Sequence, residues 1–307
     1  MNITSVVIIY NSQLRESDTL NSLLRCKLEN VNLNVCIWNN GPSLLTEDDA
    51  ANFIWQCQEK GIRAKIYQDI RNLALSKIYN FFIKENQYDM ITILDQDSQL
   101  PQDFLTNISS HHLADIIVPK IFVKNQDDEY VQIYPHEYKK YDNKIKYGNI
   151  ENKIDSAMSG VTLSAKFIEK IKTFRGAVFE EKLAFYGIDS DLFREINKMI
   201  DKGADLKLHC IGSINHSFSY LSPIKEENEF RDAEIFYFKY FIRMEYQKKS
   251  KLSTLWVCIR DFVRTKSNLN KTKKMIPFIF AGIHPRSKLE IPEGLQPTHS
   301  LIYLERN

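Results

Sequence analysis

The chain has 307 residues, 43 % of them hydrophobic and 26 % charged, enough to build a sizeable core and too apolar for a disordered chain. Its five cysteines (Cys26, Cys36, Cys57, Cys210 and Cys258) are odd in number, widely spaced and free of any Cys-x-x-Cys, which argues against a disulfide scaffold and against a zinc site. The net charge of +2 hides an asymmetry: Lys239 to Lys288 holds thirteen Lys/Arg against two Asp/Glu, while the preceding body is acidic.

Strand and helix patterns alternate over the first 120 residues. Ser5 to Tyr10 is a buried strand ended by Asn11-Ser12, and 17–28 carries Leu20, Leu23, Leu24 and Leu28 at helical spacing. Asn34 to Trp38 is a second strand, closed by the turn Asn39-Asn40-Gly41-Pro42. A helix over 47–60, capped by Gly61, leads to a strand over 63–67 and a helix over 73–86. Ile91 to Leu94 is a fourth strand, ending in Asp95-Gln96-Asp97, and Pro101 opens a helix over 101–109. Asp115 to Pro119 is a fifth strand. This alternation predicts an α/β fold with a mostly parallel sheet flanked by helices. Beyond residue 120 the pattern changes: short hairpins or loops over 121–150, a strand over 157–164, a helix over 166–173, and a mobile loop over 175–187. A helix over 189–202 and a strand over 206–211 follow. Met1 to Tyr10 lacks a basic leader region, which predicts no signal peptide, and no stretch approaches the ~20 apolar residues of a membrane span.

Several residues could carry chemistry. Asp95 and Asp97 stand just past a strand, where ligands of open α/β sheets bind, and two such acids can hold a divalent cation shared with phosphate oxygens. An exposed turn or helix cap explains the same pair without chemistry. Asp189 and Asp191 open a helix behind Gly187. One of them can serve as an N-cap and the other as a general base. His216 is either structural or a further metal ligand. Asn72 to Asn80 opens the third helix and could meet a nucleotide or diphosphate there. Asn11 and Asn39 each follow a strand, where turn formation is the commoner use.

The order V-V-I-I-Y-N, N-N-G-P, N-L-A-L-S-K-I-Y-N, I-L-D-Q-D-S, S-G-V-T-L-S, Y-G-I-D-S-D-L-F-R and a late His resembles the family 2 glycosyltransferases of the GT-A fold, especially the bacterial rhamnosyltransferase-like enzymes, over about residues 3–220. The resemblance implies an inverting transfer of a sugar from a UDP- or dTDP-sugar to a hydroxyl of an oligosaccharide or lipid-linked acceptor, in O-antigen or capsule biosynthesis. It implies a divalent cation, manganese or magnesium, on Asp97 and His216, with Asp95 at the ribose or the metal. Asn11, Asn39, Asn72, Lys77 and Asn80 match donor-side positions, Ser159 and Gly160 match the strand facing the acceptor, and Asp189 matches the base. Ala74 stands where the family has Gly, and Ile188 where it has Glu, which leaves Asp191 as a second candidate near the acceptor.

Expected boundaries are a catalytic domain over 1–222 and a basic, mainly helical C-terminal extension over 223–307. Within the extension, Leu252, Leu255, Trp256, Ile259, Phe262 and Val263 lie at helical spacing beside Arg260 and Arg264. That suits either an interfacial helix on an anionic membrane or a helix packed on the body. No nucleic-acid motif accompanies the charge. The cysteine usage predicts a cytoplasmic protein, peripheral at the inner face of the plasma membrane if the helix binds lipid. Rival readings are a sugar-nucleotide nucleotidyltransferase, which normally carries a Gly-rich phosphate loop not found near Tyr10, and a non-catalytic nucleotide- or sugar-binding module.

Overall fold

A computed structural model describes residues 1–125, 127–217, 225–265 and 269–301. The first half builds β1 (Asn2–Ile9), α1 (Asp18–Leu23), β2 (Asn32–Asn39), α2 (Glu47–Glu59), β3 (Arg63–Gln68), α3 (Leu75–Glu85) and β4 (Met90–Asp95). Strands β3, β2, β1 and β4 lie side by side and parallel, with Ile8 level with both Trp38 and Asp95. The apolar runs of β1 and β4 are continuous because both of their faces are covered. Val6 and Ile8 enter one core with Trp38, Ile91 and Ile93 under α3, while Val7 and Ile9 enter a second with Val35, Ile37 and Leu94. Period-two alternation divides one strand between two cores.

Downstream come the two-residue β5 (Ser98–Gln99), α4 (Phe104–Ser110), β6 (Ile116–Lys124), β7 (Tyr130–Tyr134), β8 (His136–Glu137), β9 (Lys140–Lys144), β10 (Gly148–Ile150), β11 (Ile154–Asp155) and β12 (Thr162–Ser164). Helices α5 (Ala165–Arg175) and α6 (Ile188–Asp201) precede β13 (Leu208–His216). The sheet order is β10-β13-β6-β12-β4-β1-β2-β3-β14, where β14 (His299–Leu301) pairs antiparallel with β3; β8, β9 and β11 form a separate small sheet.

The chain thus has the expected α/β architecture, with four departures. The strand expected over 157–164 shrinks to Thr162–Ser164 and runs antiparallel between β4 and β6. Ser159 and Gly160 form a turn ahead of it, with Gly160 at φ 81° and its missing Cβ filled by Pro119. β13 runs to His216 instead of stopping at 211, so that histidine ends the strand; it pairs with β5 at Ser98. The helix expected over 17–28 spans only Asp18–Leu23. β6 continues to Lys124, and the 121–150 region forms short strands.

The C-terminal chain forms α7 (Lys225–Phe241), a π-helical turn (Ile242–Tyr246), α8 (Lys251–Thr265) and α9 (Leu269–Ala281). Tyr237, Tyr240, Phe241, Cys258, Phe278 and Ile279 join the core that contains Ile8 and Ile91. The expected boundary at 222 lies outside the described residues, as do the side chains of Phe262, Val263 and Arg264.

Candidate active site

The carboxyl end of β4 carries Asp95, and the tight turn to β5 brings Asp97 beside it. β13 lies antiparallel to β5, which places His216 opposite Ser98. The ring therefore stands between the acids: Nε2 is 3.6 Å from Asp95 Oδ2 and Nδ1 is 3.2 Å from Asp97 Oδ1. Ser98 Oγ lies 3.2 Å from the same Nδ1 and 2.6 Å from Ser159 Oγ, which accepts the Asp95 N–H at 3.2 Å. Ser217 Oγ donates to Asp97 Oδ2 at 2.9 Å. Gln96 faces the other way, accepting from Tyr10 N–H and donating to Tyr10 C=O, so it clamps β1 to the acidic turn. Sequence reasoning gave Gln96 no role, and Ser159 proves to hold Asp95 and Ser98 from a buried position.

Asp189 lies in the first turn of α6, behind Gly187 at φ 86°. Its Oδ1 accepts the Ser190 N–H at 2.7 Å. Burial pushes its carboxyl up to about 6, against that hydrogen bond. Burial also pushes Asp95 up to about 6, with His216 opposing and the charges of Asp97 and Asp189 adding to the rise. A third carboxyl, Asp155 at the end of β11, is pushed up to about 7 by burial and then by the Asp189 charge, against Arg194. Burial and the charges of Asp95 and Asp189 together hold the Tyr79 hydroxyl well above its usual range. Asp95, Asp155 and Asp189 thus share one electrostatic neighbourhood, fed from β4, β11 and α6. His216 feels the reverse: burial alone would lower its pKa, but the Asp97 hydrogen bond and the charges of Asp95 and Asp97 raise it.

Asp189 and Asp191 differ in their partners. Asp191 is buried, 2.6 Å from Arg175 Nη1, and accepts the Tyr246 hydroxyl at 2.5 Å; that hydroxyl also reaches Glu195 at 2.9 Å. Both Asp191 oxygens are committed to holding α6 against α5 and the π-helical turn. Asp191 therefore packs the helix.

Most of the donor-side candidates hydrogen-bond within the protein. Asn39 is buried, donating to Ser43 C=O at 2.8 Å and Gln68 Oε1 at 3.1 Å while its Oδ1 accepts the Gly41 N–H at 3.0 Å. Lys77 donates to Leu289 C=O at 3.1 Å and to Glu290 at 2.5 Å. Asn80 donates to Phe179 C=O and Glu181, each at 2.9 Å, and accepts the Phe179 N–H at 3.1 Å. With Ser76 Oγ on Leu183 C=O, this fastens the 176–187 segment to α3. Asn72, at φ 56°, accepts from Asn40 at 3.3 Å and from Arg286 at 2.8 Å. Asn11, at φ 51°, is exposed beyond β1, with its N–H on Gly41 C=O at 2.7 Å. Two further residues were not singled out from sequence. Asp155 offered a weak signal as an acid after Ile154; Arg286, 214 residues from Asn72, offered none.

Residues 4–167 match the glycosyl transferase family 2 profile, which is over half of the chain. The chain belongs to glycosyl transferase family 2. Its mixed sheet, with β12 antiparallel between β4 and β6, is the family's GT-A fold. Among solved structures it is similar to TarS of S. aureus. Against residues 1–349 of TarS in complex with UDP the identity is 13 %, covering 96 % of this chain and 95 % of that one, with a TM-score of 0.48. Against the same fragment in complex with UDP-GlcNAc the identity is 14 %, covering 80 % and 67 %, with a TM-score of 0.49. Against a longer TarS chain the identity is 14 %, covering 80 % of this chain and 44 % of that one, with a TM-score of 0.48. This chain thus spans less than half of the longer TarS chain. A search of curated proteins returns no match.

Proposed function

We propose that this chain is an inverting glycosyltransferase that moves a sugar from a UDP- or dTDP-sugar to a hydroxyl of an oligosaccharide or lipid-linked acceptor, in assembly of a bacterial surface polysaccharide such as O-antigen or capsule. The observation that carries the reading is the meeting of Asp95, Asp97 and His216 at one strand end, within the electrostatic reach of Asp189. Family membership supports the transferase class, and the ordered motifs support the surface-polysaccharide context.

In the proposed reaction Asp189 accepts the proton of the acceptor hydroxyl. Its raised pKa suits it to take a proton near neutrality and to release it afterwards. The acceptor oxygen forms a bond to the anomeric carbon as the bond from that carbon to the diphosphate oxygen breaks, and the nucleoside diphosphate departs as an anion. The His216 ring is held between the two carboxylates, whose charges raise its pKa against the effect of burial. Among the described residues no three His, Cys, Asp or Glu side chains are arranged to hold a metal by themselves. The Asp97 carboxylate and the His216 imidazole would be the residues to hold manganese or magnesium. A cation bound there would supply positive charge to the leaving diphosphate. The test is nucleotide release from a panel of sugar nucleotides, with and without manganese. Release of UDP or dTDP supports the reading, whereas pyrophosphate formed from a nucleoside triphosphate and a sugar phosphate would assign the chain to nucleotidyl transfer instead.

A further inference from the structure

Behind the start of α6, residues of α7, the π-helical turn and α8 line an open pocket of about 300 Å³ that the catalytic reading does not use. Its floor is apolar, from Ile235, Phe238 and Val257, and its rim carries Lys239, Arg243 and Arg260. Lys239 pairs with Asp261, which Arg260 also approaches at 3.6 Å, so one carboxylate offsets part of the rim. Arg243 Nη2 donates to Ser253 Oγ at 2.8 Å. Three cations thus line the pocket against the one carboxylate of Asp261, a charge balance that favours an anion there. A phosphate matches guanidinium donors best. The turn that carries Arg243 is π-helical over Ile242–Tyr246, a distortion common at functional sites.

The apolar floor asks for more than a free anion, and the neighbouring surface says what else is present. Leu252, Trp256 and Ile259 stand on one stripe of α8, exposed at 72 %, 63 % and 48 %, and Arg260 lies over the Trp256 ring at 5.3 Å. Lys248, Lys249 and Lys251 are exposed just ahead of the same helix. An exposed apolar stripe bordered by cations is complementary to an anionic bilayer surface. No helix among the described residues is long and apolar enough to cross a membrane, so the contact would be superficial.

We propose that this pocket seats the phosphate of an anionic membrane phospholipid, with Arg243 and Arg260 as its donors and Leu252, Trp256 and Ile259 inserted beside it. Phe238 ties the pocket to the candidate active site: a Cβ on Gly187 would stand 2.0 Å from its ring, so Phe238 also backs the residue that starts the Asp189 helix. The inference concerns docking, and it stands or falls independently of the transfer reaction.

The test is flotation of the full chain, without donor or acceptor, with vesicles of phosphatidylcholine alone or with phosphatidylglycerol at about 30 mol %. Binding is expected only to the anionic vesicles. Arg243→Gln with Arg260→Gln should weaken it about thirtyfold, whereas Lys27→Gln with Lys60→Gln, an equal loss of exposed charge in the α1 and α2 region, should cost less than about threefold. If the glutamine pair unfolds by circular dichroism, Arg243→Lys with Arg260→Lys is read instead; it keeps the charge, loses the fork, and should still cost about tenfold. Trp256→Ser should abolish the fluorescence shift on vesicle addition. Equal losses from the two charge pairs, or equal binding to neutral vesicles, would overturn the proposal. So would full displacement from the vesicles by millimolar inorganic phosphate, which would make the pocket a free-anion site, or by a soluble prenyl phosphate, which would make it part of the acceptor site.

Discussion

Asp189 and Asp191 sit two residues apart on one helical turn, yet they should respond oppositely to the same change. Asp189→Asn removes a carboxylate that has no salt bridge and that burial already holds up at about 6. General-base catalysis typically contributes 10²–10⁴-fold, about 2.7–5.4 kcal/mol of barrier, so transfer should fall by at least two decades. Folding should be unharmed or improved, because the buried charge is gone. Asp191→Asn breaks a pair in which Arg175 is 15 % and Asp191 3 % exposed, and it leaves the guanidinium without its anion. Such losses run to about 3–5 kcal/mol, and the amide can keep the Tyr246 hydroxyl, so about 3 kcal/mol is expected, a drop in Tm of roughly 6–12 °C for a chain of this size. Thermal melts and nucleotide-release rates on the two variants separate the roles. An Asp189→Asn protein with most of its turnover, or an Asp191→Asn protein with an unchanged Tm and no turnover, would refute the assignment.

The pH profile of transfer should rise through about 6 and then level, since Asp189 must be ionised to accept a proton, and the limb should vanish in Asp189→Asn. Stability should move the other way. The raised pKa values of Asp95 and Asp189 give a contribution fully present below their ordinary value of 3.8 and lost as pH climbs through about 6; urea titrations from pH 4 to 7 check the sign. Asp97→Ala and His216→Ala should each remove manganese binding by calorimetry, and the wild-type affinity should strengthen with pH, because the proton that Asp95 and Asp97 hold on His216 must leave first. Gly187→Ala imposes φ 86° on an L residue and drives a methyl group into the Phe238 ring, so it should cost about 2–4 kcal/mol. Adding Phe238→Ala should recover part of that loss in a double-mutant cycle, and strict additivity would mean the two residues do not touch.

The parts legible in the sequence were those set by local pattern. β1 and β4 announce themselves as β-branched runs because each is buried on both faces, and the acids at the end of β4 follow from that placement. What escaped was set by tertiary pairing. Nothing in Thr162–Ser164 says that three residues will run antiparallel between β4 and β6, and β13 reaches His216 because β5 and β6 offer backbone partners far away in sequence. The side-chain roles divide the same way. Asn80 and Lys77 look like donor ligands on the third helix, but their partners, Phe179 and Glu290, lie 99 and 213 residues on. Asp189 and Asp191 look equivalent at a helix start until Arg175 and Tyr246 claim the second.

The most direct test of the central claim is nucleotide release by the purified chain, given a panel of UDP- and dTDP-sugars, manganese and an oligosaccharide or lipid-linked acceptor, beside the Asp189→Asn variant. The predicted result is release of UDP or dTDP that depends on one donor and on the acceptor hydroxyl and that falls at least a hundredfold in the variant. Wild-type and variant proteins that release nucleotide equally, or a wild-type protein that binds sugar nucleotides and releases none with any acceptor, would contradict it.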